Sequence, residues 1–236
     1  VLAVLLSAGG ANAAKVACGQ SHTCAIRDDV NVWCWGRNGE GQLGQGSTGG
    51  SSANPVGPLD LGVGRTAKTI CAGYSHNCVI LDDDTLKCWG EGSSGQLGYG
   101  DTTQRNAPPA TPVDLGAGRT AKAVSCGAYH TCAILDDDSL KCWGNNGSSQ
   151  LGLGDPMYSG AGNQATTPTA VPTANLGAGV KSVVAGERLT CAVLMDGSLK
   201  CWGHGSYGSL GYPNGYGITL YEPPPENVDL GAGRTA

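Results

Sequence analysis

The chain has 236 residues, of which 40 are glycine, none is phenylalanine and 14% are charged. Abundant glycine, short apolar runs and frequent turn residues favour an all-β protein of many hairpins, and no long stretch spaces its apolar residues as a helix would. The net charge of −5 gives no electrostatic reason to expect nucleic acid or an anionic membrane as a partner.

The N-terminal residues are typical of the end of a secretory signal peptide. An apolar run extends from Val1 to Leu6, and the A-x-A pattern of a cleavage site follows at Ala11–Ala13. We therefore expect residues 1–13 to be a signal-peptide remnant. The alternative is a strand of a preceding repeat, because this stretch loosely matches "GAGRTAKAVSCG" from Gly116. No stretch approaches the roughly 20 apolar residues of a membrane span.

A single sequence unit recurs four times along the rest of the chain. Each unit holds an apolar opening such as "AKAVSCG", then "HTCAIL", an acidic turn, "LKCWG", a glycine-rich loop and a proline-rich stretch. This order predicts four short antiparallel strands per unit, and such a sheet has two faces to cover, so neighbouring units must stack. Repeats of this kind favour β-propeller blades. The predicted repeats within residues 14–236 run approximately over 14–62, 63–116, 117–177 and 178–231.

Two cysteines flank the acidic turn in every repeat. In the fourth repeat the turn is Met195–Gly197, so Leu194 faces Ser198 and, three rungs further along, Cys191 faces Cys201. On an open rung the Cα atoms approach to about 4.5 Å, which lies within the range of about 4.4–6.8 Å that a disulfide tolerates. The predicted disulfides join Cys24 to Cys34, Cys78 to Cys88, Cys132 to Cys142, and Cys191 to Cys201.

The third residue of each of these turns must adopt left-handed backbone geometry. Gly197 suits the position, and Asp84 and Asp138 accept it better than most residues. In the first repeat Val30 stands there, and a β-branched residue is poor at positive φ. We therefore expect Asn31 to take the position and to shift the register of that hairpin.

Three of the eleven cysteines lie outside these pairs. Cys18 and Cys126 lie six residues before the first bridge cysteine and Cys71 lies seven before it, so side-chain alternation predicts that Cys71 points to the opposite face. Because three is odd, at least one thiol is expected to be free or to pair outside the chain. No paired CxxC motif indicates a metal site, so the pattern favours disulfides and an oxidising compartment.

The loops that follow "CWG" carry a recognisable signature. They read "GRNGEGQLGQG" (36–46), "GEGSSGQLGYGD" (90–101), "GNNGSSQLGLGD" (144–155) and "GHGSYGSLGY" (203–212). Over residues 16–236 the pattern resembles the repeat of the regulator of chromosome condensation family. The resemblance implies a β-propeller, commonly of seven blades, of which about four are present here. We expect these to form an open arc, as a fragment of a longer propeller.

The resemblance does not imply a single activity. Repeats of this family serve in guanine-nucleotide exchange factors, ubiquitin-ligase modules, a plant ultraviolet photoreceptor and a secreted β-lactamase-inhibitory propeller. The chain departs from the nuclear exchange factor in its paired cysteines, its signal-like N-terminus and its lack of a basic tail. Light sensing is disfavoured because the tryptophans, apart from Trp33, are the "WG" of each blade.

The recurrent histidines and aspartates are interpreted as structural. His22, His76 and His130 are spread around the axis by the repeat, whereas zinc ligands converge to about 2.0–2.1 Å from one ion. We expect the histidines to tie down the turn between the first two strands. The acidic runs Asp82–Asp84 and Asp136–Asp138 are expected to be solvated and to pair weakly with the cations of "GRTAK" on one rim. The histidine turns and "GQLG" loops would form the other rim.

These observations predict a secreted or cell-surface binding module with a protein or glycan ligand. We expect no nucleic-acid partner, no membrane span, no metal, no cofactor and no catalytic residues. Specificity is expected in the least repetitive loops, 155–170 and 212–226. The candidate partner-binding residues are Tyr158, Tyr212, Tyr216 and Tyr221. The alternatives are an intracellular scaffold or exchange-type propeller, and the non-catalytic part of a larger secreted enzyme.

Overall fold

The computed structural model describes residues 15–154, 164–170, 176–213, 217, 219–231 and 234–236. In these residues the protein is all-β, and its fifteen strands form four antiparallel sheets, which confirms the predicted fold class. We call the sheets blades 1 to 4 in chain order. The expected signal-peptide remnant, residues 1–13, lies outside the described residues.

Each blade places its strands side by side in the order of the chain. Blade 1 contains β1 (Val16–Cys18), β2 (His22–Ile26), β3 (Val32–Arg37) and β4 (Ser51–Val56). Blade 2 contains β5 (Ala67–Ala72), β6 (His76–Leu81) and β7 (Leu86–Gly90), with an isolated bridge from Gly90 to Arg105 in the fourth position. Blade 3 contains β8 (Ala121–Cys126), β9 (His130–Leu135), β10 (Leu140–Asn145) and β11 (Gln164–Ala170). Blade 4 contains β12 (Val180–Ala185), β13 (Leu189–Leu194), β14 (Leu199–His204) and β15 (Thr219–Leu220).

The hydrophobic core lies mainly between blades. The cluster at the first interface joins Leu43 of blade 1 to Ile70 and Trp89 of blade 2. Equivalent clusters at the next two interfaces contain the fully buried Trp143 and Trp202. Burying a large apolar side chain stabilises by about 1.5–3 kcal/mol, so stacking of neighbours holds the fold.

The first strands of successive blades contact one another and form the inner edge of an open arc. These strands are β1, β5, β8 and β12. In the described part of the chain, no helix is long and apolar enough to cross a membrane.

The hairpin turns of the first three blades share one backbone conformation. Val30 adopts a φ of 58°, close to the 63° of Asp84 and the 65° of Asp138. The expectation that Asn31 would take the left-handed position is therefore wrong, and the register of the first hairpin is not shifted.

A contact with the next blade explains why Val30 keeps this conformation. The carbonyl of Val30 accepts a hydrogen bond of 2.9 Å from the N–H of Ala67, at the start of β5. The carbonyl of Asp84 accepts the N–H of Ala121 in the same way. Packing between blades thus overrides the local preference of a β-branched residue.

Replacing Val30 with asparagine should raise the free energy of unfolding by about 1 kcal/mol. Asparagine tolerates the left-handed region, in which other L-residues lose roughly 1–2 kcal/mol. Chemical denaturation of the oxidised protein measures the change. The control is Val63→Asn, because Val63 is fully exposed and its replacement should change stability by less than about 0.5 kcal/mol. Equal stability of Val30→Asn and the parent protein would contradict the prediction.

Candidate functional site

A disulfide joins the second and third strands of every blade. In each pair the cysteines face each other across the ladder, with Cα atoms 4.1 Å apart. The bridges are Cys24–Cys34, Cys78–Cys88, Cys132–Cys142 and Cys191–Cys201. They are the four pairs predicted from the three-residue turns, because turn length fixes the register of a hairpin.

A fifth disulfide joins Cys71 of blade 2 to Cys126 of blade 3. In their ladders Cys71 faces Cys78, whereas Cys126 faces Thr131, one position further along the strand. Their side chains therefore leave opposite faces of equivalent strands, as alternation predicted, and meet between the blades. Cys18 occupies the Cys126 position in blade 1 and is the free thiol expected from the odd count.

One group of cysteines in the described residues has the dimensions of a metal site. The sulfur atoms of Cys71, Cys78 and Cys126 lie within 4.8 Å of one another. All three belong to disulfides, whereas zinc is bound by thiolates. In the oxidised protein the group is a covalent junction between blades.

A chain of hydrogen bonds, which we call the blade latch, crosses each interface. Between blades 2 and 3, the Trp143 indole donates to the Gln96 carbonyl at 3.0 Å, and the Thr131 hydroxyl donates to the same oxygen at 2.9 Å. His76 Nε2 lies 3.0 Å from the Thr131 oxygen. Gln96 and His76 belong to blade 2, whereas Trp143 and Thr131 belong to blade 3. The latch therefore links two residues of one blade to two residues of the next.

The latch recurs at the other two interfaces. Between blades 1 and 2 its members are His22, Asn77, Gln42 and Trp89. Between blades 3 and 4 its members are His130, Thr190, Gln150 and Trp202. The histidines are therefore structural, as the sequence suggested, but their partners lie in the following blade.

The latch fixes the tautomer of its histidine. Since Thr131 donates its only hydroxyl proton to Gln96, it must accept from His76, whose proton therefore lies on Nε2. The Nδ1 of His76 is buried and has no hydrogen-bond partner among the described residues. It lies against Gly73, where an added Cβ would come within 2.5 Å of it. Burial lowers the pKa of His76 to about 3, with the neighbouring histidines adding to the shift.

The rim that carries the hairpin tips is lined by the predicted ion pairs. Arg119 lies 3.2 Å from Asp136 and 2.7 Å from Asp137, and Lys122 lies 2.6 Å from Asp138. Blade 2 repeats the arrangement with Arg65 and Lys68 on Asp82–Asp84. These side chains are 34–50% exposed, so each pair contributes about 0–1 kcal/mol.

The four candidate tyrosines do not form one described surface. Tyr212 is half-buried, and its hydroxyl accepts the N–H of Cys201 at 3.1 Å, an arrangement repeated in blade 2. Burial raises the pKa of Tyr212. Tyr221 is 41% exposed, while Tyr158 and Tyr216 lie outside the described residues.

The histidine turns and "GQLG" loops share the other rim, and an aromatic surface lies there. We name it the inner-rim patch and define it by Gln20, Tyr74, Glu91, Tyr129, Glu187 and Arg188. The rings of Tyr74 and Tyr129 stack with centroids 5.2 Å apart, and the Gln20 amide donates to the Tyr74 hydroxyl. Beside Tyr129 a cavity of about 330 Å³ is lined by the blade 3 loop "NNGSSQ" (145–150), Glu187 and Arg188.

This patch was not predicted from the sequence, because specificity was expected in the longest loops. A signal was present in the repeat itself. The two residues between the glycine of each turn and the following histidine, or Leu189 in blade 4, form a different pair in every blade. These pairs are Gln20-Ser21, Tyr74-Ser75, Ala128-Tyr129 and Glu187-Arg188. Variation inside a repeated framework marks positions that the fold does not determine.

Acidification should destabilise the protein through the latch histidines. Unfolded histidine binds a proton below pH 6.5, while burial keeps folded His130 neutral down to a pKa of about 3. The contribution of each such histidine to the free energy of unfolding is therefore fully present above pH 6.5. As the pH drops through this window, the contribution decreases by about 1.4 kcal/mol per pH unit.

His130→Leu tests this effect, because leucine stands at the equivalent position 189. Denaturation between pH 6.5 and 4.5 should give a slope that is shallower by about 1.4 kcal/mol per pH unit. Ile134→Val is the control, since it weakens the core without removing a titrating group. An unchanged slope in His130→Leu would show that this histidine is not excluded from protonation.

Removing the disulfide between blades should cost more stability than removing a hairpin bridge. The chain-entropy model gives about 4 kcal/mol for the separation of 55 residues and about 3 kcal/mol for a separation of 10. The double variants Cys71→Ser/Cys126→Ser and Cys132→Ser/Cys142→Ser can be compared by denaturation. Cys18→Ser is the control, because Cys18 is not bridged. The opposite ranking of the two double variants would contradict the prediction.

Comparisons with known proteins identify the repeat. Two family models of the regulator of chromosome condensation (RCC1) repeat match the chain. One matches residues 13–42, 67–96, 121–150 and 180–209, and the other matches residues 31–80, 83–134 and 137–193.

Relatives and solved structures share the repeat over most of the chain. The chain is 32% identical over 201 residues to the ultraviolet-B receptor UVR8 of Arabidopsis thaliana, a match that covers 83% of the chain and 42% of the receptor. It is 30% identical over 203 residues to the probable E3 ubiquitin-protein ligase HERC6 of Homo sapiens, which covers 85% of the chain and 19% of the ligase. The chain thus spans less than half the length of either relative.

The crystal structure of yeast RCC1 (Prp20) bound to Kap60 superposes with a TM-score of 0.74 at 21% identity, over 91% of the chain and 48% of that protein. Together, the repeat matches and the shared propeller fold confirm the resemblance predicted from the loop signature. The chain belongs to the regulator of chromosome condensation (RCC1) repeat family.

Proposed function

We propose that the chain is a disulfide-stapled protein-binding module of a secreted or cell-surface protein. The observation that carries the proposal is the state of the cysteines: ten of the eleven are paired in five disulfides. Such bridges persist in oxidising compartments and are rare in the reducing cytosol. Each blade has one hairpin disulfide between the predicted pair of cysteines. This regular placement supports folding of the protein in an oxidising compartment.

Binding of another protein is supported by the family and by the shape of the surface. Yeast RCC1 (Prp20), which shares the fold, was solved in complex with Kap60. In the present chain three histidines, three tryptophans and three glutamine carbonyls are engaged in the blade latches. The two rims remain as surfaces with side chains that can contact a partner.

We propose no enzymatic activity for the chain. The match to HERC6 covers 19% of that ligase, so the ligase activity is not carried over to these repeats. Histidine is a frequent acid–base catalyst, but His22, His76 and His130 are buried at the interfaces, and burial lowers the pKa of each. The hairpin-tip aspartates of blades 2 and 3 are paired with arginine and lysine.

Counting thiols tests the compartment. Protein secreted from a eukaryotic host, unfolded without reductant, should react with one equivalent of a thiol reagent, at Cys18. Cys18→Ser should lower the count to zero, and full reduction should raise the parent count to eleven. Around eleven reactive thiols in freshly isolated material from the natural source would overturn the proposed secreted location.

A further inference from the structure

Backbone hydrogen bonds hold the inner-rim patch in a fixed shape. The N–H of Tyr74 donates to the carbonyl of Ala128 in the next blade at 3.1 Å. Within the blades, Glu91 N–H donates to Ser75 and Asn145 N–H donates to Tyr129, at 3.0 and 2.8 Å. The turns and the strand ends that carry the patch are therefore placed before any ligand arrives, which lowers the entropy cost of binding.

The two tyrosines form an aromatic platform at the surface. Their ring planes differ by 26°, and both side chains are half-buried, so each ring is supported by the protein while part of it faces solvent. The face of an aromatic ring attracts a cation placed within about 6 Å of its centre.

The charges around the platform are mainly negative. Glu187 is paired only loosely with Arg188, at 3.6 Å between side chains that are 73% and 63% exposed. The Glu91 carboxylate accepts a hydrogen bond from the Ser93 hydroxyl at 2.8 Å, and no cation pairs with it among the described residues. Burial raises the pKa of Tyr129, and the negative charge of Glu91 adds to the rise.

We propose that the inner-rim patch binds an arginine side chain presented by a loop of a partner protein, an inference that rests on the proposed protein-binding function. The guanidinium would stack on the tyrosine platform and donate to Glu91 and Glu187. A planar guanidinium combines ring stacking with bidentate donation to carboxylates, whereas the ammonium of lysine does neither as well. The adjoining cavity of about 330 Å³ lies at the small end of ligand sites, and it suits one side chain.

The inference is tested by titrating the oxidised full chain with N-acetyl-arginine amide and following the tyrosine ring resonances by NMR. We expect saturable shifts at Tyr74 and Tyr129. The matched probe is N-acetyl-citrulline amide, which keeps the planar shape without the charge and should bind at least fivefold more weakly. N-acetyl-lysine amide should fall between them.

Variants assign the binding to the patch. Glu91→Gln and Glu187→Gln should each weaken arginine binding about two- to fivefold, and Tyr129→Leu about fivefold. Asp28→Asn is the control, because Asp28 is exposed at a hairpin tip on the opposite rim and its loss should leave the affinity unchanged.

Three results would overturn the inference: no saturable shift, equal affinity for the citrulline probe, or equal affinity in the patch variants and the parent protein. Preferred binding of N-acetyl-glutamate amide would also overturn it, because that would assign the site to Arg188 and an acidic partner. If the protein has one free thiol, any of these results would overturn the arginine site and leave the proposed function unaffected. Eleven free thiols in native-source protein would overturn the secreted location whatever the arginine titration shows.

Discussion

One peptide carbonyl at each interface holds the arc together. It belongs to Gln42, Gln96 or Gln150, and it accepts two hydrogen bonds from the next blade, one from an indole and one from an asparagine or threonine. A buried carbonyl left unpaired costs about 1–3 kcal/mol, and the two donors of the next blade pair it when the interface closes. The position of the neighbouring blade, the burial of its tryptophan and the tautomer of the histidine all follow from this requirement.

The sequence predicted contacts within a blade better than contacts between blades. Turn length and side-chain alternation determine the register of a hairpin, so the partner of Cys132 could be derived by counting. The partner of His76 could not, because no local rule places Thr131 of the next blade beside it. The error at Asn31 has the same origin, since the N–H that stabilises the Val30 turn comes from another blade.

The repeat separates the framework of the protein from its recognition surface. In the first three blades the turn glycine is required for packing, because a Cβ on it would overlap the histidine ring, as Gly73 shows with His76. The two residues that follow the glycine differ between blades, and they place Tyr74, Tyr129 and Arg188 on one rim. A propeller can therefore change its ligand through short turns, without long insertions and without disturbing the latches.

The Cys71–Cys126 disulfide makes one of the three blade interfaces stronger than the other two. Blades 2 and 3 cannot part while this bond is intact, whereas blades 1 and 4 are attached by non-covalent contacts along with the chain itself. Partial opening is therefore expected between blades 1 and 2 and between blades 3 and 4, whereas blades 2 and 3 behave as one cooperative unit. A load transmitted through a bound partner would separate blade 1 from blade 2, or blade 4 from blade 3, before it separates blades 2 and 3.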